Sequence, residues 1–110
     1  MATIHTDWKS AIKGYKDYLA LERGLSENSI LAYMRDIKQF AKIIEKVDGV
    51  TNPAKINLSN VEHYLADLYD NGIARNSQAR KLSGVRSFCK FLSIEGVIDT
   101  NPIELIEGPR

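Results

Sequence analysis

Apolar residues recur three and four positions apart in four separate segments of this chain, and no segment sustains the two-residue alternation of a half-buried strand. This periodicity predicts an all-α fold, because each segment offers one apolar stripe and four such stripes can share a core. The first helix is expected from Trp8 to Glu22, with Trp8, Ala11, Ile12, Tyr15, Tyr18 and Leu19 inward, and Gly24 stopping it. The second opens at Ser26, which can cap the first turn, with Glu27 suited to the positive helix end. Its buried stripe reads Ile30, Tyr33, Met34, Ile37, Phe40, Ala41 and Ile44, and Gly49 and Pro53 forbid a helix through the loop that follows. The third is expected to start at Ser59, with Glu62 completing an S-x-x-E capping box, and to bury Val61, Tyr64, Leu65, Leu68 and Tyr69 before ending at Gly72. In the fourth, Asn76 or Ser77 caps the start, Leu82, Val85, Phe88, Cys89 and Leu92 point inward, and Gly96 closes it. Asn101 and Pro102 then predict a short fifth helix through Leu105.

With 110 residues the chain has room for one modest core, and 44% hydrophobic with 26% charged residues describes an ordinary globular domain. The single cysteine, Cys89, rules out an internal disulfide and suits a reducing cytoplasm; beside Phe88, Phe91 and Leu92 it reads as a small buried hydrophobe. No apolar run approaches a membrane span, and the N-terminus lacks a signal-peptide core, so no membrane partner is expected.

The formal net charge of +1 conceals an uneven distribution. Residues 75–94 hold Arg75, Arg80, Lys81, Arg86 and Lys90 with no acid, whereas residues 47–74 and 95–110 each carry a net −3. In the fourth helix, Ser77, Arg80, Lys81, Gly84 and Ser87 read as a face turned from the core, cationic and lined with small residues. Gly84 costs about 1 kcal/mol relative to alanine inside a helix, and close approach to a neighbour, either a DNA groove or another helix, would justify it. The second helix gathers Ser26, Asn28 and Ser29 at its N-terminus, with Arg35 further along, a set suited to phosphate. The plainer reading makes Ser26 a cap and Arg35 the partner of a nearby carboxylate. Catalytic signals are missing: His63 has no second histidine or cysteine at metal-ligand spacing, and no phosphate-cradling glycine loop or nucleophile elbow occurs. No cofactor or metal is expected.

Two long stretches carry a family resemblance. "YLALERGLSENSILAYMRDIKQF" resembles the opening of the core-binding domain of tyrosine recombinases of the phage-integrase and Xer type, and "NSQARKLSGVRSFCKFLSIEGVIDTNPIELIEGPR" resembles that domain's last helix and exit. Ser29 stands where threonine is commoner in that pattern, and Gly84 where alanine is usual.

The resemblance implies a SAM-like four-helix bundle with a short C-terminal helix, forming half of a clamp around double-stranded DNA. Residues 1–7 would be a flexible N-terminus, 8–106 the DNA-binding domain and 107–110 the start of a linker to a catalytic domain elsewhere in the full-length chain. DNA contacts would come from Ser26, Asn28, Ser29 and Arg35 on the second helix, and from Asn76, Ser77, Arg80, Lys81 and Arg86 on the fourth. Tyr33 and Asp36 would serve packing and charge pairing. The family cuts DNA with a tyrosine nucleophile of the other domain, so this fragment would be inert in DNA integration or recombination by itself. Isolated, it would be a monomer; in the parent, protomers would assemble as tetramers on paired sites. Two other readings fit the polar faces: a helical protein-interaction module, and a stand-alone helix-turn-helix regulator, for which "DNGIARN" is close to the turn length required.

Overall fold

A computed structural model of the chain describes residues 7–104. They form four α-helices, α1 (Trp8–Leu21), α2 (Glu27–Asp48), α3 (Leu58–Asp70) and α4 (Arg75–Ile94), with a single 3₁₀ turn at Pro53–Lys55. No strand occurs among the described residues. The helical spacing of the sequence accounts for all four, and the described fold is the expected all-α bundle. Asp7 caps α1 by accepting the Ser10 N–H at 2.7 Å; the rest of the expected flexible N-terminus lies outside the described residues, as do Leu105 and the expected linker.

The helices share one core. Tyr15 and Leu19 of α1, Ile37, Phe40 and Ile44 of α2, Val61 and Tyr64 of α3, and Leu82, Val85, Phe88 and Leu92 of α4 are all buried. Aromatic edges knit the layers: Phe88 meets the Tyr15 ring edge-on with centroids 5.2 Å apart, and Phe40 meets Tyr64 likewise at 5.0 Å. Each such side chain contributes about 1.5–3 kcal/mol by leaving water. Trp8 stacks on Phe88, and its indole N–H donates to the Val50 carbonyl at 3.3 Å, drawing the α2–α3 loop onto α1.

Local chemistry sets the helix ends. After α2, Gly49 turns left-handed (φ 69°), so that its N–H reaches Glu45 and the Val50 N–H reaches Ile44, satisfying the last carbonyls. At α3 the sequence reading needs correction: the N-cap is Asn57, not Ser59. Asn57 Oδ1 accepts the Asn60 N–H at 3.0 Å while Asn60 Oδ1 accepts the Asn57 N–H at 2.8 Å, a reciprocal box that leaves Ser59 and Glu62 exposed. Asn60 Nδ2 also donates to Asp48 at 3.0 Å, tying this box to the end of α2.

Three further expectations fail. Tyr69 is 75% exposed rather than inward, because the α3 stripe is narrow and runs through Val61, Tyr64 and Leu68. Neither Asn76 nor Ser77 caps α4: the helix starts at Arg75 behind Ala74, which offers no side-chain cap, and Gln78 instead reaches back to the Ile73 carbonyl at 2.8 Å. Beyond Gly96 the described chain makes a turn rather than a helix, with Asn101 Oδ1 accepting the Ile103 N–H at 3.1 Å and Ile103 buried against the bundle.

Candidate nucleic-acid interface

Along the seam between α2 and α4, the face of α4 expected to be free is largely occupied. Gly84 is buried, and a Cβ built on it would lie 3.4 Å from the Tyr33 ring of α2. The Tyr15 hydroxyl donates to the Gly84 carbonyl at 3.3 Å, and Ser87, also buried, accepts from Arg23 Nη1 at 3.4 Å. Gly84 and Ser87 therefore admit other parts of the same chain, which corrects their reading as a solvated face.

Asp36 governs the charges on this seam. It is only 2% exposed, yet it accepts from Arg80 Nε at 3.0 Å, Arg80 Nη2 at 3.3 Å and Lys81 Nζ at 3.0 Å. Lys81 also donates to Gln39 Oε1 at 2.9 Å and is 12% exposed, whereas Arg80 remains 45% exposed. Breaking a buried ion pair costs about 3–5 kcal/mol, and the half-exposed Arg80 places this cluster toward the low end. Asp36 thus does the charge pairing expected of it, and Tyr33 the packing. Beside this cluster the seam opens into a shallow cavity of about 180 Å³ lined by Ser29, Ala32, Tyr33, Asp36 and Arg80.

The remaining expected site residues take different positions. Ser26 caps α2, its Oγ accepting the Ser29 N–H at 3.3 Å and its hydroxyl donating to Ser29 Oγ at 3.0 Å. Asn28 and Arg35 are exposed on the same side of α2, while Ser29 is half-buried. On α4, Asn76 and Arg86 are exposed and Ser77 is half-buried. Arg86 lies by Lys90 and Ser93 in a groove closed by Asn101 and Ile103.

Sequence reasoning singled out Arg35 and Arg86 but missed the exposed stripes to which they belong. On α2, Lys38, Lys42 and Lys46 continue from Arg35 at helical spacing, and all four are exposed. On α4, the exposed stripe is Arg75, Ser83, Arg86 and Lys90, turned away from the seam face. The spacing of 35, 38, 42 and 46 opposite the apolar stripe was a usable signal for the first.

Three nucleophile-type side chains among the described residues lie inside the bundle rather than on these surfaces. Burial pushes the Cys89 thiol and the Tyr15 hydroxyl each up to about 12, and raises Tyr64 as well. Hydrogen bonds from Asn60 and His63 hold the Asp48 carboxyl below its usual range, with His63 Nδ1 2.8 Å away. Among the described residues no three His, Cys, Asp or Glu side chains gather as metal ligands, and no helix is long and apolar enough to cross a membrane.

Comparisons with known proteins agree with this architecture. The family described as phage integrase, N-terminal SAM-like domain, matches residues 12–96. Similar curated proteins include the tyrosine recombinase XerC of Pediococcus pentosaceus, 37% identical over 84% of this chain and 31% of its own length. The tyrosine recombinase XerD of Staphylococcus saprophyticus is 35% identical over 90% of this chain and 33% of its own, and XerC of Bacillus subtilis is 29% identical over 93% and 33%. The chain thus spans about a third of the length of the curated relatives it matches. No solved structure matches at a significant level. With the match covering most of the helical bundle, the chain belongs to the phage-integrase N-terminal SAM-like domain family.

Proposed function

We propose that this chain is the DNA-binding domain of a site-specific tyrosine recombinase, gripping duplex DNA through α2 and α4 while the cutting and rejoining chemistry belongs to a separate catalytic domain of the parent protein. The observation that carries the reading is the pair of exposed cationic stripes on two helices locked together by one seam. Ser26, Asn28, Ser29 and Arg35 would meet the backbone or base edges from α2, with Lys38 and Lys42 extending the contact along the phosphates. Asn76, Ser77, Arg80 and Arg86 would do so from α4, joined by Arg75 and Lys90. Lys81 contributes by holding the seam, since Asp36 and Gln39 take up its ammonium.

The match to an N-terminal domain, over about a third of the length of its recombinase relatives, supports placing the chemistry in another part of the parent. A protein-contact role fits beside DNA binding, on another face. Tyr18, Leu21, Phe91 and Ile94 line a groove of about 630 Å³ between α1 and α4, and Leu21 and Ile94 are largely exposed. That face suits contacts between protomers in a recombinase tetramer, while the isolated domain stays monomeric and soluble in the cytoplasm.

Fluorescence anisotropy of a labelled 20-base-pair duplex tests the reading. Binding is expected to be weak, because a domain about a third as long as its relatives neutralises few phosphates, and to fall with salt at a log–log slope of about −0.9 per phosphate contacted. Absence of binding at low salt by folded protein refutes it.

A further inference from the structure

Asp36 is too deeply buried to touch DNA, yet it binds two of the cations nearest the seam opening. We propose that Asp36 is a positioning residue for the DNA surface: it fixes Arg80 at the mouth of the seam and withholds Lys81 from the polyanion. The inference rests on the DNA-binding reading and assigns a division of labour within it.

The geometry sets up this division. Arg80 gives Asp36 two N–H groups on one edge of its guanidinium and keeps the rest of a half-exposed side chain at the cavity beside Ser29. A planar fork held along one edge presents its remaining N–H groups in a fixed direction. Lys81, by contrast, spends its ammonium on Asp36 and Gln39 and is almost withdrawn from solvent. Asp36, Arg80 and Lys81 together carry one net positive charge. Replacing the carboxylate with an amide raises that to two and leaves Lys81 with only neutral acceptors. An ammonium in that position is poorly compensated for its lost hydration, and its flexible four-carbon stem lets it move out to solvent. Loss of Asp36 charge should therefore add a phosphate contact, the opposite of what removing a purely structural residue does.

The experiment measures duplex affinity from 50 to 200 mM salt for the 110-residue chain and for Asp36→Asn, Lys81→Gln and the double variant, with helix content checked by circular dichroism. Asp36→Asn is expected to steepen the log–log slope by about 0.9, which over that fourfold salt range is a further loss of about 3.5-fold in affinity. Adding Lys81→Gln should return the slope to the wild-type value. A folded Asp36→Asn with an unchanged or shallower slope overturns the inference. Should Asp36→Asn not fold, Lys81→Gln decides alone: a wild-type slope supports a withheld Lys81, and a slope shallower by about 0.9 overturns it. Failure of the wild-type chain to bind at low salt overturns the DNA reading itself, and the inference falls with it.

Discussion

Gly84→Ala separates two explanations of the glycine in α4 by the sign of its effect. Were Gly84 needed for close approach to DNA, a methyl group would weaken binding. In the structure it faces Tyr33 of α2, and the added Cβ would sit 3.4 Å from Tyr33 Cδ1 and 3.8 Å from Cε1, in ordinary van der Waals contact. The Tyr15 hydroxyl bonds the Gly84 carbonyl, which the substitution keeps. The gain is then the helix-propensity difference, about 0.8–1 kcal/mol in a helix interior. Two new carbon contacts add about 0.1–0.2 kcal/mol each, and small adjustments of the Tyr33 ring take some of this back. The expected result is a stabilisation of about 0.5–1 kcal/mol, seen in urea denaturation as a higher midpoint at unchanged slope, and as a melting temperature about 2–6 °C higher. Duplex affinity should be unchanged. Gly84→Val supplies the contrast, because its γ-carbons enter the Tyr33 ring and overpacking typically costs about 1–3 kcal/mol. Destabilisation by Gly84→Ala, or weaker binding by a protein that remains folded, refutes this account of the seam.

Other outcomes follow from particular contacts. Asn57→Ala should cost about 1 kcal/mol in urea denaturation by removing the α3 cap, and Ser59→Ala close to nothing; equal effects would restore Ser59 as the cap. Because the folded Asp48 carboxyl titrates below its usual value near 3.8, its contribution is present above the unfolded carboxylate range and is lost as pH falls through the depressed folded value. Asp48→Asn should therefore lower stability at neutral pH and flatten the acid limb, the variant and the parent chain converging below about pH 4, and an unaltered acid limb in a pH series of melts contradicts that role.

The sequence reading of the fold succeeds where the signal is local. The apolar spacing of Ile30, Met34, Ile37 and Ile44, the Ser26 cap and the stop at Gly49 all act within a turn or two, and each is found in place. It fails where identity depends on distant chain. Nothing near Arg80 and Lys81 discloses that their carboxylate lies more than forty residues away on α2, so the two cations read as a solvated face. Smallness misleads in the same way: Gly84 and Ser87 suggest an open groove wall, but small residues also admit Tyr33, Tyr15 and Arg23 of the same fold. The Asn57 and Asn60 box was hidden by chemistry, since amides can close the reciprocal bonds usually sought from serine and glutamate. The lysine stripe of α2 is legible by its spacing opposite the apolar stripe, but Glu27, Asp36, Glu45 and Asp48 cancel its charge along the same helix.

Amide chemical-shift mapping with an unlabelled DNA duplex tests the central claim most directly, since it reports which surface is used as well as whether one is used. The account predicts shifts concentrated from Asn28 to Lys42 on α2 and from Arg75 to Lys90 on α4, fading as salt is raised. Shifts confined to α1 and α3, or none at low salt, would contradict it.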